Sequence, residues 1–499
     1  MFAAGEKVMK KIYIIGIGGT GAKCVRSAVH LHAAGAYGTD TQLGVMLIDA
    51  DASNGNLQSA RETLQIASDA CEVMRDTQVS FFSGPIRNYG LWNPLGGYAD
   101  RLTLSDIYRE AGMRSSNLGL GELFDAFVSP EEKQADLSVG FRGRPSIGAS
   151  VVSRIKNTQF SQGAWPDFMN DIQADCANGD TPRIHLFGSI FGGTGSSGLP
   201  TLGTLLDREL KGIRESVEIT ASVLLPYFDF DIPDDDDIYA ESKNFTLNTD
   251  AALQYLARLA GDSFNCIYLL GDNVKQRYEA STGGPRQVNP CNCVELMAAA
   301  AAIADAGVGF GNGAYLTVSD AGVISWEDIP GDQTRKALRN AFRTLYAWHF
   351  NLYNELRESQ KLVSKNSFTT GAPWFDRFFS LNDRSTRPNV ESSEENLRIG
   401  RFDRWSVDFL QWIQEVSWSG TQREQLTVIR QDIFEQATGC EIEHKRTYVD
   451  NLDKIVIGES MARRDKWRNS IDLIKNKLAD SKHRLEGVKG LVNSFYDLI

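Results

Sequence analysis

The sequence predicts an α/β protein. A parallel sheet with helices on both faces leads through an alanine-rich helix into a second α+β domain and a helical C-terminal region. Two observations carry this reading. In the N-terminal half, short apolar runs alternate with helical patterns, the signature of a parallel sheet covered on both faces. Three glycine-rich stretches fall after such runs or before helices, where open parallel sheets bind their ligands. Beyond residue 306 the alternation stops and longer amphipathic patterns replace it.

The 499 residues are enough for two or three domains, and a 42% hydrophobic content supports a large core. No apolar run is long enough to span a bilayer, so no membrane partner is expected. The first apolar run, Ile12–Ile17, reads as a short strand and not as a leader, which points to a cytoplasmic protein. A net charge of −12 argues against direct nucleic-acid binding. The seven cysteines are scattered, and Cys291 and Cys293 are too close for a standard metal knuckle, so reduced thiols and no protein-held metal centre are expected.

Each element follows from local pattern. Ile12–Ile17 is a strand, Gly16–Gly21 a glycine turn and Ala22–Ala34 a helix. The spacing Gly16-x-Gly18-x-x-Gly21 satisfies the dinucleotide fingerprint, a weak signal for phosphate alone. Gly44–Asp51 is a second strand ending in acids. Asp49 and Asp51 suit a ribose hydroxyl, a hydrated magnesium ion or the cap of a helix starting near Asn54. Leu57–Ile66 reads as helix, Gly84–Gly97 as loop and Leu102–Phe127 as helix in pieces; much of 62–136 has no clear role. Val139–Val152 is a glycine loop carrying Arg142 and Arg144, with a helix from about Ile147. Arginines there suit a terminal phosphate, or are simply surface residues.

The central stretch is His185–Gly203. A buried strand, Ile184–Ile190, leads into the loop Gly192-Gly193-Thr194-Gly195-Ser196-Ser197-Gly198. A helix, Leu199–Leu210, follows, with Pro200 near its first turn. Strand, glycine loop and helix N-terminus make an anion site, because backbone N–H groups and the helix dipole both favour negative charge. A tight turn without ligand uses the same residues. Val217–Leu225 and Cys266–Leu270 are further strands. The first runs into Pro226–Asp231, the second into Gly271-Asp272-Asn273, and the acidic run Asp234–Asp237 is a solvated loop. Ser242–Leu259 is a helix with Leu247 near its apolar side. Asn289–Ala306, with five successive alanines, makes a close-packing helix.

In the C-terminal third, Ala314–Val318 and Val323–Trp326 suit a hairpin, and Ser380–Gly400 a polar loop. Thr334–Leu356 is an amphipathic helix with His349 beside its core face. Trp405, Phe409, Trp412, Ile413 and Val416 mark another core-facing helix. Met461–Val492 is a basic helix, a solvated face or a docking surface for an acidic protein partner.

With these pieces in order, residues 11–306 resemble the tubulin/FtsZ superfamily of GTP-binding filament proteins, nearer to divergent bacterial members than to eukaryotic tubulin. The signature loop GGGTG(S/T)G is matched by Phe191-Gly192-Gly193-Thr194-Gly195-Ser196-Ser197. The first loop is matched by Gly18-Gly19-Thr20-Gly21, the second strand end by Asp49-Ala50-Asp51-Ala52, and the end of the γ-phosphate loop by Gly143–Gly148. The resemblance implies that the first and signature loops wrap GTP or GDP, with Mg2+, and that the Arg142–Gly148 loop senses the γ-phosphate. Asp229 or Asp231 would meet the ribose, and Asp272, Asn273, Asn289 or Asn292 the base. It implies domains at 1–288 (GTP-binding), 289–306 (central helix), 307–400 (second) and 401–499 (helical). It also implies head-to-tail self-assembly into filaments or oligomers, with an acid after the central helix reaching the next subunit's GTP.

Gly307–Ser319 contains no acid, so Asp305 and Asp320 are the catalytic candidates and slow or absent hydrolysis is expected. Two alternatives stay open. One is a nucleotide-dependent scaffold or adaptor, as in a bacterial defence system, that does not polymerise. The other is an NAD(P)-binding Rossmann enzyme built on Gly16–Gly21 and Asp49.

Overall fold

The computed structural model describes residues 10–38, 40–75, 81–82, 84–96, 102–138, 140–141, 143–152, 163–231, 242–272, 276–279, 283–304, 326–359, 372–382, 384–417, 452, 455–456 and 470–499. The candidates Arg142, Asn273, Asp305 and Asp320, the acidic run Asp234–Asp237 and most of the expected hairpin lie outside the described residues.

Six parallel strands form the sheet, in the order β3-β2-β1-β4-β5-β7. They are β1 (Lys10–Ile17), β2 (Thr41–Ile48), β3 (Ile86–Trp92), β4 (Arg183–Ser189), β5 (Glu218–Leu224) and β7 (Cys266–Leu270). The short β6 (Phe228–Phe230) and β8 (Gln276–Tyr278) pair separately, also in parallel. Side chains alternate across the sheet as strand geometry requires. On β1, Ile12 and Ile14 join one core while Tyr13, Ile15 and Ile17 join the other.

The first core is covered by α1 (Gly18–Ala33), α2 (Gly55–Met74) and α7 (Cys293–Ala301). The second is covered by α4 (Trp165–Ala177) and α5 (Gly193–Glu209) and is reached by α6 (Phe245–Tyr255). The helix α3 (Pro145–Val152) packs on α5. Four short helices between Leu104 and Gln134 lie between β3 and α3.

Several boundaries differ from the sequence reading. Gly84–Gly97, expected as loop, contains β3. Its ladder slips between Val45 and Met46 opposite Gly90, whose φ of +92° accommodates the irregularity. An edge strand tolerates such a bulge, and the glycine that suggested a loop marks it. In α6, Leu247 is 70% exposed, while Phe245 and Ala252 face the core. The helix expected over Asn289–Ala306 is shorter, with Asn292 capping Val294 N at 2.9 Å.

Among the described residues the longer C-terminal helices are α8 (Asp332–Ala347), α9 (Ser393–Ser417), α10 (Ile471–Ala479) and α11 (Gly487–Leu498). α8 continues through a π-helical turn, Trp348–Leu352, into Tyr353–Ser359. α9 begins inside the stretch expected to be loop, because Glu395 and Ile399 are buried. Trp405, Phe409, Trp412, Ile413 and Val416 are all fully buried in the core that also holds α1. Between 326 and 417, strand-type pairing among the described residues is limited to the bridge Ser380–Asn389. Of the expected basic helix Met461–Val492, residues 461–469 lie outside the described residues, and the remainder is broken: α10 and α11 are separated at Asp480–Glu486, and Lys475 is ion-paired internally with Glu355.

Candidate functional site

The strand order reverses at β1, which lies between β2 and β4, so the connections leaving β1 and β4 diverge and open a crevice at the strands' carboxyl ends. Both connections are abrupt. The helix α1 starts at Gly18, directly after β1, and α5 starts at Gly193, four residues after β4. The residues expected as glycine loops are therefore largely the first turns of helices. Gly18 has φ +73°, and a Cβ there would lie 3.3 Å from Thr194 Cβ and 3.5 Å from Gly195 N. The two helix N-termini thus touch.

Neither N-terminus has a side-chain cap, and neither first turn carries an acid. Their orphan N–H groups and dipoles leave a concentrated positive field. Gly18, Gly19, Thr20, Gly192, Gly193, Thr194 and Gly195 line one cleft, together with Asp49, Asp51, Gly143 and Asn289. Eleven of the candidate residues therefore lie at one cleft.

Others do not line it. Gly21 packs α1 on β4, since a Cβ there would lie 2.6 Å from Phe187 O. The Ser196 hydroxyl donates back to Gly192 O, and Ser197 Oγ donates to Gly193 O at 2.7 Å, so both serve their own helix. Pro200 is the eighth residue of α5, well past the first turn. Arg144 lines an adjoining hollow, 3.8 Å from Glu132. On β6 the strand alternation turns Phe228 and Phe230 into the cleft, and Asp229 between them is not part of its lining, nor is Asp231. Asp272 lies outside the lining, and the Asn292 carboxamide caps α7 and donates to Gln276 Oε1 at 3.1 Å.

The two acids after β2 are buried. Asp51 is a structural clasp: its Oδ1 accepts from Ser53 N at 3.0 Å and its Oδ2 from Gly284 N at 2.7 Å. Asp49 Oδ1 accepts from Asp51 N at 3.1 Å. Burial, and to a lesser degree the Asp51 charge, push the Asp49 carboxyl up to about 7, against hydrogen bonds that favour its charged form. Asn54 caps α2, accepting from Asn56 N at 3.0 Å. The stretch Gly283–Asn289 is laced over this corner: Asn54 Nδ2 donates to Gln287 Oε1 at 2.6 Å, and Asn289 N to Asn56 Oδ1 at 2.7 Å.

Sequence reasoning missed Lys23 and the aromatic wall. Lys23, in the second turn of α1, lines the cleft while buried. Its Nζ is 2.6 Å from Glu295 Oε1 and 5.4–5.7 Å from the ring centres of Tyr227, Phe228 and Tyr278. Burial pulls its pKa down, but Glu295, Tyr278 and Cys291 together more than offset that, so the net shift is upward and the ammonium stays charged. Phe191, which stands where the signature has glycine, packs into this wall edge-on to Phe228 and tilted against Phe245, at 4.9–5.1 Å between ring centres. A lone lysine in an otherwise apolar helix turn was the available signal.

No family model matches the sequence, and no curated protein matches it. Among solved structures the chain is similar to a GTPγS-bound CetZ2 protofilament from Haloferax volcanii, at 15% identity, 52% coverage of this chain and 49% of that chain, with a TM-score of 0.27. It is also similar to the GDP-bound CetZ1 monomer from the same organism, at 14% identity, covering 52% of this chain and 51% of that one, TM-score 0.28. A third is a GTPγS-form protofilament of TubZ from Bacillus thuringiensis serovar israelensis, at 10% identity, 53% and 48% coverage, TM-score 0.21. The chain spans about half the length of each.

Proposed function

We propose that the cleft binds the phosphates of a guanine nucleotide and that the chain is a GTP-binding protein of tubulin/FtsZ type, assembling head to tail. One observation carries the proposal: two uncapped, acid-free helix N-termini, α1 and α5, meet at Gly18 and Thr194 in the crevice where the strand order reverses. The residues fit a nucleotide. Backbone donors gather at one part of the cleft, and Lys23, Asn289, Phe228 and Phe230 supply a cation, an amide and aromatic faces beside it. Magnesium, in this reading, arrives with the phosphates, since it keeps most of its ligands from phosphate and water.

Asp49 and the strand order also suit the dinucleotide reading. The convergence of the β4 connection and the Gly143 turn on the same cleft favours a single run of phosphates instead. Head-to-tail contacts are heterologous and give open polymers. Slow or absent hydrolysis belongs to this proposal, with Asp305 and Asp320 as the acids to test.

The experiment is calorimetric titration of nucleotide-stripped protein with GTP, GDP, ATP and NAD+, paired with sedimentation and phosphate release. Binding of GTP and GDP above the others, with pelleting in GTP and little phosphate released, is the expected result. Guanine-nucleotide binding without pelleting supports the scaffold reading, and preferential NAD+ binding overturns the proposal.

A further inference from the structure

We infer that Asn248 is a positioning residue that fixes two phosphate-facing backbone segments to each other. The inference rests on the nucleotide reading, in which the Gly143 turn meets the terminal phosphate.

Asn248 lies on the first turn of α6, half-buried, in the wall of the hollow that adjoins the cleft through Gly143. Its Nδ2 donates to Gly143 O and to Phe191 O, each at 3.1 Å. Only an NH2 group offers two protons in one fixed fork to two carbonyls; the reverse orientation would set three oxygens against one another.

The consequence follows from peptide planarity. In a trans peptide, C=O and N–H point in opposite directions. Asn248 stands outside the cleft and holds the Phe191 carbonyl, so the Gly192 N–H of the same peptide is aimed the other way, toward the cleft that Gly192 lines. The second bond holds the Phe141–Arg144 turn, which closes on itself through Arg144 N to Phe141 O at 2.9 Å. That turn packs directly on the tip of α5: a Cβ on Gly193 would lie 3.0 Å from Phe141 Cβ and 3.1 Å from Gly143 N. One carboxamide thus sets both the aim of a donor at the α5 N-terminus and the position of the turn beside it. Nothing else described bridges these two carbonyls from α6.

The test is nucleotide affinity of the full chain carrying Asn248→Ala, with Asn248→Asp as a same-size variant whose oxygens face the two carbonyls. Fluorescent GTPγS and GDP are the probes, and thermal melting without nucleotide is read alongside. For N248A the expected result is about tenfold weaker GTPγS binding, under about threefold weaker GDP binding, and a melting point within about 2 °C of wild type. N248D should widen the split. Equal weakening of both nucleotides, or no weakening in either variant, overturns the inference. Failure of the wild-type chain to bind either nucleotide overturns the reading of the site, and this inference with it.

Discussion

Replacing Asp49 by Asn isolates the electrostatic character of the cleft. The Asp49 carboxyl is 3% exposed, and burial raises it from the ordinary value of 3.8 to about 7. Asp51, its charged neighbour, adds to the rise, while Asp51 N, Ala50 N and Thr194 donate to the carboxylate and oppose it. The folded state therefore holds this proton more tightly than the unfolded chain does. The associated stability is complete below about pH 4 and is lost as pH rises through about 7. A span of about three pH units at about 1.4 kcal/mol each gives at most about 4 kcal/mol. Asparagine keeps the shape and the acceptor oxygen but cannot ionise. The stability of D49N relative to wild type should therefore climb from about 1 kcal/mol at pH 4.5 to about 4 kcal/mol at pH 8. Urea unfolding of nucleotide-free protein across that range reads it, and common effects of the other carboxylates cancel in the difference. Parallel pH profiles for the two proteins would refute the reasoning.

Three further outcomes follow from the contacts. Ser196→Ala and Ser197→Ala should leave guanine-nucleotide affinity within about twofold, because both hydroxyls donate to carbonyls of their own helix; a titration showing a large loss would return them to the ligand. Lys23→Met should cost about 3–5 kcal/mol in urea unfolding, because it strands the fully buried Glu295 carboxylate, and Glu295→Gln in the same chain should recover much of it. Trp412→Ala should cost about 3–5 kcal/mol, since the ring is fully buried, stacks on His30 at 4.9 Å between centres and donates to Ser27 Oγ at 3.0 Å; an unchanged denaturation midpoint would contradict that packing.

The parts of the site legible in the sequence are those written in a short stretch of chain. Strand followed by glycines followed by helix is a local pattern, and Gly18–Thr20 and Gly192–Gly195 line the cleft as that pattern implied. Helix starts were less legible. The sequence placed them several residues late, because glycine usually weakens a helix, whereas here it allows α1 and α5 to approach one another and β4. The orientation of Asp229 was hidden for another reason. A three-residue strand between two bulky phenylalanines settles by burying the rings, and the acid follows from alternation. Lys23, Asn248 and the Gly283–Asn289 strap act over more than a hundred residues of separation, or across elements, and no local pattern records such pairings. The C-terminal aromatic stripe was legible because its period is that of a helix, but not its partners: that α9 packs along α2 and reaches α1 through Phe409 and Trp412 required the fold.

That partnership bears on how the protein can respond to a ligand. Lys23, Arg26, Ser27 and His30 recur at three- and four-residue intervals and share one face of α1. Lys23 pairs with Glu295 of α7. Arg26 Nη1 lies 2.7 Å from Glu415 Oε2 of α9, and the same oxygen accepts from Cys291 N at 2.9 Å, beside the start of α7. Ser27 and His30 receive Trp412. Stranding one partner of a buried ion pair is strongly disfavoured, so Lys23–Glu295 ties α1 to α7, while the Arg26, Glu415 and Trp412 contacts tie α9 to that pair of helices. Other parts of the cleft wall lie outside this stripe. Two of these are the Gly283–Asn289 strap, tied to Asp51, Asn54 and Asn56, and the Gly143 turn, tied to α6 by Asn248. Both reach the cleft beside the touching helix N-termini, the strap through Gly283, Gln287 and Asn289 and the turn through Gly143, so a nucleotide bound as proposed would meet both.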